Sequence, residues 1–458
     1  MGAIKTPTPV LPPGPASPSS ASTPPLKVGA SSTSGSRMAG AFFWVEMFFV
    51  VYCARPEDWI PGLHFIPLAK VAGLFALIAF ILSIGSAKSG LPKEVFYLGA
   101  LTVQMGLASI FSTLWKGGAI QVTEDFAKVV LIMAVMSMCV VTLDRLRRLI
   151  YLQTVSAGLI AAISIVKGHQ MGGRLEGVLN GIYSNPNDLA LAMALTFPFC
   201  FAFMIRAKNP VRKVFWVLIM LVMVYCVLMT ASRGGLIGLL IGAGVCIWGF
   251  GVKQRRVLLV FFVFVATIIM LPLAGKLALQ RLGGTFDPNQ NVAESYDSAQ
   301  ARKELLQKSL TVSVQHPLFG VGPGDFQIIS GWHETHDVYT ELSAEAGIPA
   351  LIIFLMIFYR AFRNVWDARQ SIADRSELAT FATAVKSALA VFAVSSLFYP
   401  VAYHFFVYFL FAFATALYRI ASSCGAYVSE SQDTRHHPGA VQIRQLLPQT
   451  KRKAVWTT

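Results

Sequence analysis

The stretch VFWVLIMLVMVYCVLMTASRGGLIGLLIGAGVCIWGF, residues 214–250, decides the fold class. Two apolar runs flank a short turn at Ser232, Arg233 and Gly234, and each run is close to the ~20 residues that an α-helix needs to cross a bilayer. The runs are continuous and do not alternate in hydropathy, which excludes a transmembrane β-barrel. We therefore predict two membrane-spanning helices joined by a tight turn.

The same pattern recurs along the chain. Hydrophobic residues make up 55% of the 458 residues and charged residues only 13%, whereas a soluble domain carries about 25% charged residues. A surface with so few charges does not face water, so we predict an all-α fold, a polytopic transmembrane helical bundle. The predicted spans, about twelve, centre on 40–53, 66–84, 95–113, 128–143, 149–166, 187–205, 213–231, 234–251, 257–274, 346–362, 381–398 and 403–421.

Basic clusters predict the orientation of this bundle. The net charge is +15, but the Lys and Arg residues lie in short loops between apolar runs, without the interleaved aromatic residues of a nucleic-acid surface. Such loops mark the cytoplasmic side of a membrane protein. With twelve spans, both termini are cytoplasmic and no nucleic acid is expected as a partner. The strongest clusters all fall on the cytoplasmic side: 144–148, 206–213, 253–256 and 359–369.

Composition divides the chain into three parts. Residues 1–36 are rich in Pro, Ser, Thr and Ala and are predicted to form a disordered cytoplasmic tail, and residues 425–458 form a second, polar and basic tail. The transmembrane domain is predicted over 37–424. Within it, the long hydrophilic loop over 275–345 falls on the outer face, and the helix-like pattern at 299–310 predicts a partly helical cap there.

Three arginines on the predicted outer face are residues that could carry chemistry. Arg233 lies where two spans meet and is followed by two glycines, which let the backbone approach a ligand. Arg302 lies in ARKELLQKSL and Arg174 in the Gly- and Asn-rich loop before Asp188. The structural alternatives are a snorkelling arginine, an arginine on the surface of an amphipathic helix, and an ordinary turn, respectively.

The segment HETHDVYTELSAEAG, residues 333–347, carries the candidate catalytic group. His336, Tyr339, Ser343 and Gly347 follow a helical spacing, which predicts one face of a helix that enters the membrane at about 346. His336 then lies above the bilayer and can serve as a base near neutral pH. The pair His333 and His336 could bind a metal, but no third ligand is evident.

Two other patterns exclude common sites. The glycine-rich segment HPLFGVGPGDF, residues 316–326, lacks the Lys-Ser/Thr pair that follows a phosphate-binding loop, so it is predicted to be a tight loop of the cap. The six cysteines form no CxxC pair and mostly lie within apolar runs, which excludes a disulfide framework or a zinc site.

Together these features resemble the O-antigen ligase and polymerase superfamily of bacterial envelope glycosyltransferases. The resemblance rests on about twelve spans, a long outer loop before the last three, and an SRGG turn at the outer end of a central helix. RKELL at 302–306 is similar to the Arg-x3-Leu motif of ligases, and His336 followed after ten residues by Gly347 fits a second motif. YCARPEDWIPGL at 52–63 resembles a subgroup described as O-glycosylation ligases associated with exosortase systems.

The resemblance implies an activity and a location. Such enzymes take a glycan from an undecaprenyl diphosphate carrier and join it to a hydroxyl group at the outer face of the bacterial inner membrane. The acceptor is a lipid A-core sugar in ligases, another glycan in polymerases, and a protein side chain in the subgroup. By this resemblance His336 is the base, supported by His333, Tyr339 and Gly347. The arginines introduced above contact the diphosphate, and membrane lipids surround the enzyme.

The chain lacks a DxD motif, and arginine can replace a metal on a diphosphate, so we expect a metal-independent reaction without a cofactor. Two other classes of protein remain open. A transporter of lipid-linked sugars needs charged residues along a central pathway, and these spans contain few. In a non-catalytic membrane scaffold, His336 and the arginines would not have to lie close together.

Overall fold

A computed structural model describes residues 38–63, 65–86, 90–171, 174–178, 183–250, 292–372 and 376–436. The all-α prediction is confirmed for these residues: apart from one pair of two-residue antiparallel strands, β1 (Gln170–Met171) and β2 (Arg174–Leu175), the regular elements are helices. In chain order they are α1 (Ala39–Ala54), α2 (Pro56–Trp59), α3 (Leu68–Ser83), α4 (Lys93–Phe111), α5 (Lys116–Cys139), α6 (Leu143–Lys167), α7 (Pro186–Arg206), α8 (Pro210–Met229), α9 (Arg233–Phe250), α10 (Val292–Gln315), α11 (Phe326–Ser330), α12 (Val338–Glu345), α13 (Ile348–Gln370), α14 (Glu377–Ser395) and α15 (Phe405–His436), with a 3₁₀ turn at Ile84–Ser86.

Eight helices in the described part of the chain are long and apolar enough to cross a membrane. They are α4, α6, α7, α8, α9, α13, α14 and the first part of α15. Helices α1 and α3 have 16 residues each and are shorter than a full span, and the predicted span over 257–274 lies outside the described residues. The protein is therefore a multi-pass membrane protein, while the total of about twelve spans stays a prediction.

Some predicted boundaries are wrong. Helix α5 begins at Lys116, not near 128, because charged residues in its first half lower the hydropathy of a segment that is nevertheless helical. These charges pair on the helix surface, where Lys128 Nζ lies 3.0 Å from Glu124 and 2.8 Å from Asp125. Helix α15 continues to His436, past the predicted domain end at 424. The tail over 1–36 lies outside the described residues.

Helix α7 lies at the centre of the bundle. In its most apolar stretch 83% of the residues are buried by protein, whereas the corresponding value for α8 is 28%. Small residues let α9 pack closely against α7 and α14: a Cβ atom added at Gly235 would lie 2.4 Å from Cβ of Ala190, and one at Gly238 2.5 Å from Oγ of Ser395. Close contact of this kind holds transmembrane helices together without a hydrophobic driving force.

Helices α10, α11 and α12 form a cap beside the turn between α8 and α9. The predicted helical pattern at 299–310 is confirmed and lies within α10, which packs on α12 through a small apolar core and a 2.8 Å hydrogen bond between Ser313 and Ser343. The glycine-rich segment over 316–326 is a loop with turns, in which the φ angles of Gly320, Gly322 and Gly324 are positive, as the sequence predicted. The side of the membrane that carries this cap stays a prediction.

The prediction of one helix from His336 into the membrane is wrong. His336 precedes α12, with a left-handed φ of 65°, and Gly347 separates α12 from α13 with a φ of 87°. The chain turns at Gly347 because it passes under the 317–319 loop, where an added Cβ atom would lie 2.4 Å from the carbonyl oxygen of Leu318. Tyr339 and Ser343 consequently face different partners, α14 and α10.

Candidate functional site

The turn between α8 and α9 places Arg233 at the first residue of α9, as predicted. Ser232 anchors this turn: its hydroxyl donates to Oδ1 of Asn187 over 3.0 Å and lies 2.8 Å from the hydroxyl of Tyr399. Gly234 passes so close to Tyr399 that an added Cβ atom would lie 2.8 Å from the phenol oxygen. The position of Arg233 is therefore fixed by α7 and by the loop before α15.

Arg174 supports the same turn from the side. Its Nε donates to the carbonyl oxygen of Thr230 over 2.9 Å, and its Nη2 donates to Oδ1 of Asn187 over 2.8 Å. The structure thus brings Arg174 to the site, with two of its donors engaged in holding the chain immediately before Arg233.

Arg302 meets Arg233 from the cap. Loss of hydration and the positive charge of Arg233 lower the pKa of the half-buried Arg302 guanidinium, which still stays charged at neutral pH. Among the described residues, neither arginine has a carboxylate within ion-pair distance. Guanidinium groups of this kind are well suited to bind an anion with several oxygen atoms.

His336 lies close enough to Arg302 to be influenced by its charge. Burial lowers the pKa of its imidazole, and the charges of Arg302 and His333 lower it further, so the imidazole is neutral at pH 7. Its left-handed backbone is held on both sides: Thr335 is buried, and Asp337 caps α12 by accepting a 2.7 Å hydrogen bond from the Thr340 N–H. A non-glycine residue kept in this conformation costs roughly 1 kcal/mol or more, a strain typical of functional positions.

The segment that follows His336 is clamped to residues 396–403, which we call the C-terminal clamp. Four hydrogen bonds join α12 to it, each between 2.9 and 3.0 Å: Val338 N–H to the Ser396 carbonyl, Ser396 hydroxyl to Tyr339, Ala402 N–H to Glu341, and Tyr403 hydroxyl to Glu345. The predicted supporting residue Tyr339 therefore acts in positioning α12. His333 lies on the exposed loop, where its carbonyl accepts from the Ser330 hydroxyl.

Comparison with known families shows a match that covers part of this site. The model of the family described as O-antigen ligase matches residues 218–355, a segment that contains Arg233, Arg302, His336 and Gly347. This match supports the O-antigen ligase superfamily that the sequence motifs indicate. No curated protein matches the chain.

The O-antigen ligase segment does not contain the whole site. Tyr399 lies in the clamp and Asn187 on α7, both outside 218–355, yet both hold the turn of Arg233. Burial raises the pKa of the Tyr399 phenol to about 12, so its hydroxyl stays protonated and can donate to Ser232. The sequence carries no local signal for these contacts, which arise from tertiary packing.

A second group of titratable side chains, also missed from the sequence, lies near Tyr399. Glu334 lies close to Asp188 and His404: burial and the charge of Asp188 raise the pKa of Glu334, and His404 opposes this rise. Asp188 and His404 line a narrow, partly open crevice together with Tyr183, Leu191 and Val401. Solvent reaches His404 there, although surrounding protein lowers the pKa of its imidazole.

Metal ligands are not grouped in the described part of the chain. No cluster of three or more His, Cys, Asp or Glu side chains is arranged there to hold a metal ion.

Proposed function

We propose that this O-antigen ligase-like protein is a membrane glycosyltransferase that moves a glycan from undecaprenyl diphosphate to a hydroxyl acceptor on the extracytoplasmic face of the bacterial inner membrane. One observation carries the proposal: Arg302 lies within range of the charge of Arg233 and acts in turn on the imidazole of His336, and neither arginine has a carboxylate partner among the described residues. A scaffold has no need for this convergence of unpaired charges with a neutral imidazole.

The two arginines suit the diphosphate of the donor. Their planar guanidinium groups bind phosphate oxygens in pairs, and loss of hydration strengthens that interaction. When the bond between the sugar and the phosphate breaks, negative charge develops on the leaving diphosphate, and positive groups already in place stabilise it. Arg174 holds the turn of Arg233 and adds positive charge to the same site.

His336 suits the acceptor. Its lowered pKa keeps the imidazole in the basic form at pH 7, ready to remove the proton of an attacking hydroxyl group. The acceptor oxygen forms a bond to the anomeric carbon, the bond from that carbon to the diphosphate breaks, and the proton passes to His336. Because the reaction is a single displacement, it inverts the configuration at the anomeric carbon. The leaving undecaprenyl diphosphate carries the negative charge that the broken bond leaves on it.

The side occupied by Glu334, Asp188 and His404 suits the acceptor's other hydroxyl groups. Carboxylates and imidazoles accept hydrogen bonds from sugar hydroxyls, whereas a diphosphate would be repelled by the two acids. The proposed site thus has a cationic half for the donor, next to His336, and an acidic half for the acceptor. A lipid A-core sugar, a second glycan and a protein hydroxyl all fit this chemistry.

The experiment is glycan transfer by purified protein in liposomes that contain a lipid-linked donor. We expect His336→Ala to lower transfer roughly 10²- to 10⁴-fold, the usual contribution of a positioned base. The matched control is His316→Ala, because His316 is an exposed histidine of the same cap. Equal transfer by the two variants would contradict the assignment of the base.

Conservative arginine variants test the donor half. We expect Arg233→Lys and Arg302→Lys each to lower transfer roughly 10²-fold, since lysine keeps the charge and loses the paired donors. Arg363→Lys, on the exposed surface of α13, is the control and should retain full activity. Full activity of the first two variants would show that charge alone suffices.

Two readouts of the same assay test the remaining parts of the proposal. Transfer that is lost in EDTA and restored by Mg²⁺ contradicts a metal-independent reaction. A gel of the products separates a single addition, expected of a ligase, from a ladder of lengths, expected of a polymerase.

A further inference from the structure

Cap helix α10 carries an apolar ridge that no part of the described protein covers. Leu306, Leu310 and Val314 are 42%, 49% and 77% exposed, and Leu318, in the loop after the helix, is 62% exposed. Residues four apart on a helix differ by about 40° in direction, so the three helical members lie along one edge. We define the apolar ridge as these four residues.

The ridge is not the face by which the cap is assembled. Helix α10 packs on α12 through Leu305 and Val312, which are 8% and 5% exposed, and through the hydrogen bond of Ser313. The ridge lies beside that buried face, and Lys308 is exposed on the other side of the helix. Helix α10 thus has a buried face, an exposed apolar edge and an exposed polar face.

The lower end of the ridge reaches the lipid-facing side of a membrane span. Nε2 of Gln104, on α4, donates to the carbonyl oxygen of Leu318 over 2.7 Å, and Phe319 stacks on Phe111 with 4.5 Å between ring centroids. Around these contacts α4 exposes Val103 and Ile110, 64% and 61% exposed.

The position of Gln104 gives the depth of the ridge. Phe111 ends α4, and the turn that follows it contacts the cap, where Ser112 donates to Asp325 over 2.6 Å. Gln104 lies seven residues before Phe111, which places it about 10 Å below this end of the helix. Leu318 therefore lies alongside a membrane span, well below its end, at a depth where lipid surrounds α4.

We infer that α10 is an interfacial helix whose apolar ridge is immersed in the adjacent leaflet of the membrane. The occupant is lipid, because the ridge continues directly into the lipid-facing surface of α4. A helix in this position buries its apolar edge roughly 5–10 Å into the boundary between headgroups and acyl chains, and flanking lysines reach the phosphates. The inference concerns the membrane alone and holds whichever glycan is transferred.

Immersion of α10 has a consequence for the donor, and this consequence rests on the proposed function. Arg302 lies one turn before Leu306 on the same helix. If the ridge lies in the leaflet, Arg302 is held near the headgroup plane, where the diphosphate of a lipid carrier lies. The carrier then reaches the arginines from the side, without leaving the membrane.

Spin-label accessibility in vesicles of phosphatidylethanolamine and phosphatidylglycerol tests the inference. Nitroxides are placed at Leu310→Cys, on the ridge, and at the matched control Lys308→Cys, on the polar face, in a background with Cys424→Ser. Both labelled positions are exposed, so neither substitution removes a core contact, and the other five cysteines are buried.

For each label we compare its accessibility to oxygen with its accessibility to a nickel chelate. The ratio at position 310 should be roughly threefold or more above the ratio at position 308, since oxygen concentrates in lipid. Equal ratios, with free access of the nickel chelate at both positions, would overturn the inference. Dipolar broadening between labels at 310, with both reagents excluded, would assign the ridge to a second copy and would also overturn it. Because no transfer is measured, none of these outcomes bears on the proposed glycosyltransferase activity.

Discussion

Replacement of Gly235 with alanine tests whether the close packing of α9 on α7 sets the position of Arg233. The new methyl group would lie 2.4 Å from Cβ of Ala190, while ordinary contact between such atoms begins at 3.4 Å. Cβ of Ala190 is fixed to the backbone of α7, so no change of rotamer relieves the clash. The two helices must separate by about 1.0 Å at this level, two residues from Arg233.

The matched control is Gly244→Ala. Gly244 lies on the same helix, and a Cβ atom there would meet nothing within 4 Å. The control isolates the gain in helix propensity, about 1 kcal/mol. Overpacking at Gly235 costs about 1–3 kcal/mol, so Gly235→Ala should be less stable than the control by that amount.

The activity should change more than the stability. A displacement of about 1 Å at a catalytic group lowers a rate roughly 10²-fold, so we expect glycan transfer by Gly235→Ala to fall by this factor and transfer by Gly244→Ala to stay unchanged. The assays are thermal unfolding in detergent and transfer in liposomes. Equal unfolding temperatures and equal rates for the two variants would refute the reasoning that the glycines position Arg233.

Three further predictions concern pH and backbone conformation. Because the lowered pKa of His336 leaves its imidazole unprotonated at neutral pH, the transfer rate should rise with pH to a plateau, with a midpoint below pH 6.5. His333→Gln removes one charge that lowers this pKa, so it should move the midpoint to higher pH. An unchanged midpoint would contradict the coupling between the two histidines. Burial raises the pKa of Glu345 to about 7, above its usual 4.5, so its stabilising contribution is complete below 4.5 and is lost as the pH rises through 7. Thermal stability should fall over that window with a slope of up to about 1.4 kcal/mol per pH unit, and Glu345→Gln should flatten the slope. Gly331→Ala, at a positive φ with no atom nearby, should lower the free energy of unfolding by ~1–2 kcal/mol. Gly347→Ala should lower it by more, because the position combines a positive φ with a contact of 2.4 Å to a backbone oxygen. Equal unfolding temperatures of the two variants would contradict this.

Most of the bundle could be predicted from the sequence because long apolar runs have one stable form in a membrane. The span predicted over 234–251 matches α9, Arg233–Phe250, closely, since its apolar run is uninterrupted. The start of α5 was misplaced because hydropathy is an average, and the acidic pair near position 125 lowers it within a continuous helix. The charged residues of α5 are visible in the sequence. The ion pairs on the helix surface that make these charges compatible with a helix are not.

The site was predictable to a smaller extent. Arg233 was singled out because a charged side chain at the membrane edge is costly unless a partner or ligand balances it. The proximity of Arg302 and His336, in contrast, was expected only from the resemblance to a family. The left-handed backbone of His336 is not encoded in its local pattern, since the helical spacing favoured a continuous helix. Tyr399 and His404 belong to a loop whose position depends on the packing of α14 and α15, which no local pattern describes.

The C-terminal clamp has a consequence for engineering. Its four hydrogen bonds hold α12, but the clamp lies 41 to 48 residues beyond the end of the segment that matches the family. A gene chimera that exchanges residues 218–355 between two relatives would join the α12 of one protein to the clamp of another. The natural unit of exchange is therefore longer and extends at least to the start of α15, so that α12 and the proposed base before it are inherited with the loop that holds α12.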